Sequence, residues 1–280
     1  MDCGILNYLS GVSAMTNLTE LWNWNSFVWW PVAIVLLGYF SFFGRVSRGH
    51  FIALIFALLA MVAVYVSPIG YLAEGYVFVA HMIQHLIMLL VVPFFIVLSL
   101  PKETMQGWLE DRCKPYTLKL ISALGWISGV GAMWFWHVPS LCSISTQTFL
   151  FGFVRDLSFV LAGMIFWWPI YGPLMRTRLS PPVGILYLFT ACIGCSLLGI
   201  YITFTDTVVC PVFASTQDSL GVLSQIQAAG FTPQIDQNVG GLLMWIPPCL
   251  LYVGAIISLL CRWYNEIETN HSDEQTTTPN

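Results

Sequence analysis

Residues 81–100 read HMIQHLIMLLVVPFFIVLSL. Two histidines four residues apart open a run apolar enough to cross a bilayer, which takes roughly 20 mostly apolar residues. The rest of the chain agrees with that reading. Of its 280 residues, 57% are hydrophobic and 9% are charged, against about 25% charged in an ordinary soluble domain. So few charges cannot cover a water-facing surface, and the expected surroundings are the lipid bilayer. Ten Lys and Arg make no basic patch, so no nucleic-acid partner is expected.

Working outward, similar runs lie near 24–43, 51–70, 76–100, 118–136, 149–171, 184–204 and 242–261. They are continuous rather than alternating in polarity, which favours helices over a β-barrel. No internal repeat is evident. Residues 1–20 carry no positive leader, and the first run ends in GRVSRGH (44–50), so the start is not read as a signal peptide. Aromatic clusters such as LWNWNSFVWWP (21–31) and FWWPIYGP (166–173) mark membrane interfaces.

Basic residues set the orientation. Arg45, Arg48, Lys102, Arg112, Lys114, Lys119, Arg176, Arg178 and Arg262 all fall in or beside the odd loops or after the last run; only Arg155 departs. The positive-inside rule then puts those loops in the cytoplasm. The expected fold is all-α: a polytopic membrane protein, a seven-transmembrane-helix bundle with its N-terminus outside and its C-terminus cytoplasmic. Residues 1–23 form an external segment, 24–263 the transmembrane domain, and 264–280 a disordered acidic tail. Within the domain, 205–239 is a long external loop. Its stretch STQDSLGVLSQIQAAG (215–230) predicts a short amphipathic helix stopped by Gly230.

This topology gathers polar residues in the outer half of the membrane. At 1.5 Å per residue His81 lies about 7 Å down and His85 about 13 Å down, on one helix face. Gln84 lies between them and Met88 continues the face. His137 closes the fourth run, with Met133 one turn below. Arg155 and Asp156 enter with the fifth run; being about 100° apart on a helix, they need not pair with each other and are expected to bond partners on other helices, with Asp156, Asp236 and lipid phosphate all open as the partner of Arg155. Asp236, Gln237 and Met244 head the seventh. Ionisable residues inside spans are costly and usually mark a site, although each taken singly also reads as a helix–helix hydrogen-bonding group or, for Met, as core filler. Imidazole suits Zn, Cu, Fe and Ni, and thioether adds a bias to Cu(I), so His81, His85 and His137 are the candidate metal ligands, backed by Met133, Met244 and Asp156. Gln84, Arg155, Asp236 and Gln237 line the same polar pocket. Haem held between His81 or His85 and His137 is the alternative cofactor.

Cys3, Cys142 and Cys210 fall outside, where disulfides form, and Cys142 with Cys210 is a candidate pair. Cys113 and Cys261 fall on the cytoplasmic side. Cys192 and Cys195 form a mid-span CxxC, which reads as a small-residue packing face ahead of a redox or Cu(I) motif. No HExxH, Walker loop or GxSxG elbow is present, and no lysine stands in the last run.

HMIQHLIMLLVVPFFIVLSLP, WFWHVPSLC, LSFVLAGMIFWWPI and DQNVGGLLMWIPPCLLYV, in that order, resemble the multi-span CtaG-like family of cytochrome c oxidase assembly factors, the seven-helix family rather than the single-span copper chaperone of the same name. The likeness covers roughly the last two thirds of the chain. It implies a protein of the bacterial plasma membrane, without turnover of its own, that serves a terminal haem–copper oxidase through its copper. Its partners would be an oxidase subunit or other assembly factors. By position His81, His85, His137, Asp236 and Met244 match the family's motifs. Where the family commonly has a Glu-His pair, this chain has Arg155 and Asp156. Arg cannot bind a cation, so either Asp156 takes over a ligand role or this member has left metal handling. A haem-binding redox protein, a non-metal membrane scaffold and a copper transporter remain as other readings.

Overall fold

The computed structural model describes residues 21–44, 46–109, 115–214, 222–228 and 230–277. Among these the regular structure is helical, with no strand. The helices are α1 (Trp29–Phe43), α2 (Arg48–Val66), α3 (Pro68–Ala73), α4 (Phe78–Leu86), α5 (Val92–Ser99), α6 (Lys102–Leu109), α7 (Pro115–Trp136), α8 (Pro139–Gln147), α9 (Phe149–Tyr171), α10 (Pro181–Phe204), α11 (Val222–Ala228) and α12 (Pro233–Thr277). Among the described residues five segments are long and apolar enough to cross a membrane: α2, the joined α4–α5, α9, α10 and the start of α12 as far as Glu268. Two shorter apolar helices, Trp29–Phe43 and Leu120–Trp136, accompany them.

The third run is not one regular helix. Ile87–Val91 forms a π-helical turn between α4 and α5. Pro93 comes just after it and has no N–H to offer the Leu89 carbonyl one turn back. The indole Nε1 of Trp167 on α9 donates to the neighbouring Leu90 carbonyl at 3.0 Å. Gly163 of α9 packs directly on the Leu89 carbonyl and Pro93, where a Cβ would clash. The wider π turn also shifts the register of the helix faces on either side of it. Met88, expected on the histidine face, instead lines a cavity towards α1.

α10 and α12 make the most extensive helix pair. Small residues permit it: a Cβ on Gly199 would lie 2.9 Å from the Gly241 carbonyl oxygen, the close approach typical of small-residue faces. Cys192 and Cys195 belong to this face. Cys192 Sγ lies 2.7 Å from Cys249 Sγ, and Cys195 Sγ lies 3.7 Å from Tyr252 Oη. Both CxxC thiols thus face α12; the part played by Cys249 was not anticipated.

α1 is fastened at its two ends. Phe27, just before it, meets Phe149 and Phe153 of α9 edge-on, with centroids 5.1 and 5.9 Å apart. Near the other end Tyr39 Oη donates to the Ser99 carbonyl at 2.5 Å. The helix begins at Trp29 rather than at 24 because residues 24–28 are turns. The tail expected to be disordered from 264 instead continues α12 to Thr277. No Gly or Pro interrupts 264–278, and Arg262 Nε pairs with Glu266 one turn on at 3.6 Å. In the 205–239 loop α11 occupies Val222–Ala228, and Gly230 (φ 92°) ends the turn after it. The rest of the amphipathic prediction, 215–221, lies outside the described residues, as do Cys3, Arg45, Arg112, Cys113 and Lys114.

Candidate functional site

Three imidazoles form a buried ladder at one end of the bundle. His81, His85 and His137 are 1%, 3% and 5% exposed. Ring centroids are 4.1 Å apart for His81–His85 and 5.6 Å for His85–His137. α4 supplies the first two at helical spacing, and the turn after α7 supplies the third. Phe213 stacks beside His81 and Phe159 beside His85, at 5.1 and 4.8 Å.

The protons on these rings are set by their neighbours. His81 Nδ1 lies 3.2 Å from the Ala73 carbonyl oxygen and His137 Nδ1 lies 2.5 Å from that of Met133. A carbonyl only accepts, so in each ring Nδ1 carries the proton and donates. Each neutral ring then presents Nε2 as a lone pair. His81 Nε2 and His85 Nδ1 have no hydrogen-bond partner although buried. His137 Nε2 faces the Met82 thioether Sδ at 3.3 Å, and a thioether has no proton to give. Met82 is the side chain that sequence reasoning missed: it sits one residue from His81, about 100° round the helix, so it was not placed on the ligand face.

The other candidates are drawn elsewhere. Arg155 and Asp156 pair with each other, Nε to Oδ1 at 2.8 Å, rather than only with partners on other helices. The guanidinium reaches back along its own helix because burial, at 6% and 13% side-chain exposure, makes an unpaired charge costly. Tyr65 Oη donates to the second oxygen, Oδ2. Both Asp156 oxygens are thus engaged, and neither is on the ladder. Asp236 crosses to the start of α4 and accepts from the amides of Phe78 at 2.6 Å and Val79 at 2.8 Å, a carboxylate where the helix dipole favours one. Gln237 accepts from Val209 N at 2.9 Å and donates to the Thr207 carbonyl at 3.0 Å. Gln84 reaches the Val64 carbonyl at 3.5 Å. Met133 contributes its carbonyl to His137. Met244 is fully buried, one turn beyond Gly240, which packs on Phe78 and Met82. Cys142 and Cys210 are joined by a disulfide, Cα–Cα 5.7 Å, tying α8 to the loop after α10.

Donor chemistry and metal geometry answer differently. Lone pairs of His81, His85 and His137 together with a thioether make a soft-to-borderline set, and His81 and His137 each give their other ring N–H to a backbone carbonyl, as metal-binding histidines do. Yet among the described residues no group of three or more His, Cys, Asp or Glu is arranged to hold a metal ion. What the structure shows is His137 Nε2 against the Met82 sulfur at 3.3 Å, with the two other imidazoles beside it.

A helical bundle with several membrane-length apolar segments and a buried polar cluster at one end is a multi-pass membrane protein. The chain belongs to the cytochrome c oxidase caa3 assembly factor family (Caa3_CtaG), whose profile matches residues 36–266. Comparisons with curated proteins and with solved structures found no match.

Proposed function

We propose that the protein crosses the bacterial plasma membrane seven times, N-terminus outside, and holds copper in its outer leaflet for insertion into a terminal haem–copper oxidase. Family membership supports the assembly role. The observation that carries the copper reading is the pair of unprotonated donors facing each other, His137 Nε2 and Met82 Sδ at 3.3 Å. The two lie in contact, close enough to share one cation, and thioether selects Cu(I). His81 and His85 stand behind the seat as further donors. Binding and release need no bond making in the protein, so its role is that of a carrier rather than a catalyst. A porphyrin would need a slot the width of a macrocycle between the imidazoles, and their 4.1 and 5.6 Å spacing favours a bare ion.

The test is a metal count on detergent-purified protein reconstituted with Cu(I), wild type beside His81→Ala/His137→Ala and Met82→Leu. We expect about one copper per chain in the wild type, less in Met82→Leu and none in the double variant. A wild type that retains no copper, with normal oxidase activity in cells carrying the double variant, would leave the ladder a structural feature and end the copper reading.

A further inference from the structure

Between α1 and the rest of the bundle lies a cavity of about 850 Å³, within the range of small-molecule sites. It is separate from the ladder: none of the three histidines lines it. Its walls change character along its length. Asn23, Asn25, Gln84, Gln147, Thr148 and Arg155 surround one end. Towards the other, Val35 of α1 faces Leu58 and Met61 of α2 and Val92 and Ile96 of α5. From Met88 to Ile96 the chain advances about 12 Å, so the apolar part is an elongated channel. Phe27 bridges α1 to α9 near the polar end, and the Tyr39–Ser99 bond fastens α1 beyond the apolar end, so the space between is held at both ends.

The polar end offers hydrogen-bond donors without a free cation. Arg155 is offset by Asp156, whose oxygens are taken by Arg155 and Tyr65. Arg155 Nη1 reaches Ser145 Oγ only at 3.4 Å, a long contact that leaves the guanidinium with donor capacity. Glu74 also lines this end, and desolvation raises its carboxyl above the ordinary value. Amide, hydroxyl and guanidinium donors thus line this end beside a carboxyl, and with Arg155 paired to Asp156 an anionic head would meet no uncompensated cation.

We infer that this cavity binds one uncharged membrane amphiphile with a compact, carbonyl-bearing head and an apolar tail, the chemistry of an isoprenoid quinone. The head accepts from Arg155 and Gln84, and the tail lies along Val35, Met61, Val92 and Ile96. This inference does not rest on the copper reading, since the two sites use different residues.

The experiment is native mass spectrometry of the full chain in mild detergent, titrated with a decyl-tailed benzoquinone. Val35→Trp and Ile96→Trp fill the channel from opposite walls. Leu37→Trp places the same side chain on the exposed face of α1, where Leu37 is 71% exposed, and serves as the control. We expect a saturable single adduct in the wild type and in Leu37→Trp, weakened more than about tenfold, or 1.4 kcal/mol, in each filling variant. Phosphatidylglycerol added in excess should not displace the probe. No saturable adduct in the wild type, adducts unchanged in both filling variants at equal thermal stability, or displacement by the anionic lipid would each overturn the inference.

Discussion

Arg155 shows how one side chain can be legible as important and illegible as to role. A lone arginine inside an apolar run announces a polar site, but its partner could not be read, because the 100° offset of adjacent helical residues points away from Asp156 and only the long guanidinium stem closes that angle. The ion pair with its tyrosine cap is buried, so removing one member strands the other. Asp156→Ala is expected to destabilise the protein by about 3–5 kcal/mol, and Tyr65→Phe by about 1.5–3 kcal/mol, the worth of a hydrogen bond to a charged group. Thermal unfolding in one detergent compares them, and a smaller loss for Asp156→Ala than for Tyr65→Phe would contradict the pairing. Met82 is the complementary case. Nothing in the sequence distinguishes it from the other core methionines, and only the position of His137 on another helix gives its sulfur a meaning. The histidine pair could be read from its four-residue spacing alone.

At the scale of elements, apolar run length located every long segment; most ends moved by a few residues, but α12 extends well beyond its apolar run at both ends. What run length could not convey was the π-helical turn inside residues 81–100. Pro93 hinted at a defect there, but the accommodation depends on Trp167 and Gly163 of α9, remote in sequence. The register of α10 on α12 is likewise a tertiary fact, set by Gly199 against Gly241. It places Cys192 beside Cys249, and a membrane-permeant thiol oxidant is expected to couple those two. Peptide masses would show the linked pair lighter by the two thiol hydrogens. Two intact thiols after treatment would mean that the helices sit in another register. Asp236 carries a further expectation. Its carboxylate satisfies two opening amides of α4, so Asp236→Ala should cost about 1–2 kcal/mol, as the loss of a helix cap does. An Asn variant should recover part of it in the same unfolding assay.

For the whole molecule, the distribution of basic residues supplied an orientation that helix packing alone does not. At the end opposite the ladder, Arg178 donates to the Gly172 carbonyl at 2.7 Å and Arg262 to that of Leu179 at 3.1 Å. Burial, then the nearby Arg262 charge, lowers the Arg178 pKa from its ordinary value. These cations sit together at the face the positive-inside rule assigns to the cytoplasm. A protease-cleavable tag after Asn280 should accordingly be cut in inverted membrane vesicles and protected in intact spheroplasts; the reverse pattern would invert the topology.

The self-contained Arg155–Asp156 pair has a consequence for what the ladder can carry. With Asp156 already committed to Arg155 and Tyr65, a cation among the imidazoles would lack that carboxylate as its counter-ion and would feel the Arg155 charge as well. The solvation lost on entering such a place grows as the square of the ionic charge, so a divalent ion would forfeit roughly four times what a monovalent one does. The copper site proposed above would therefore sort ions by valence before it sorted them by element, and would surrender its ion most readily to a recipient that presents carboxylates or thiolates.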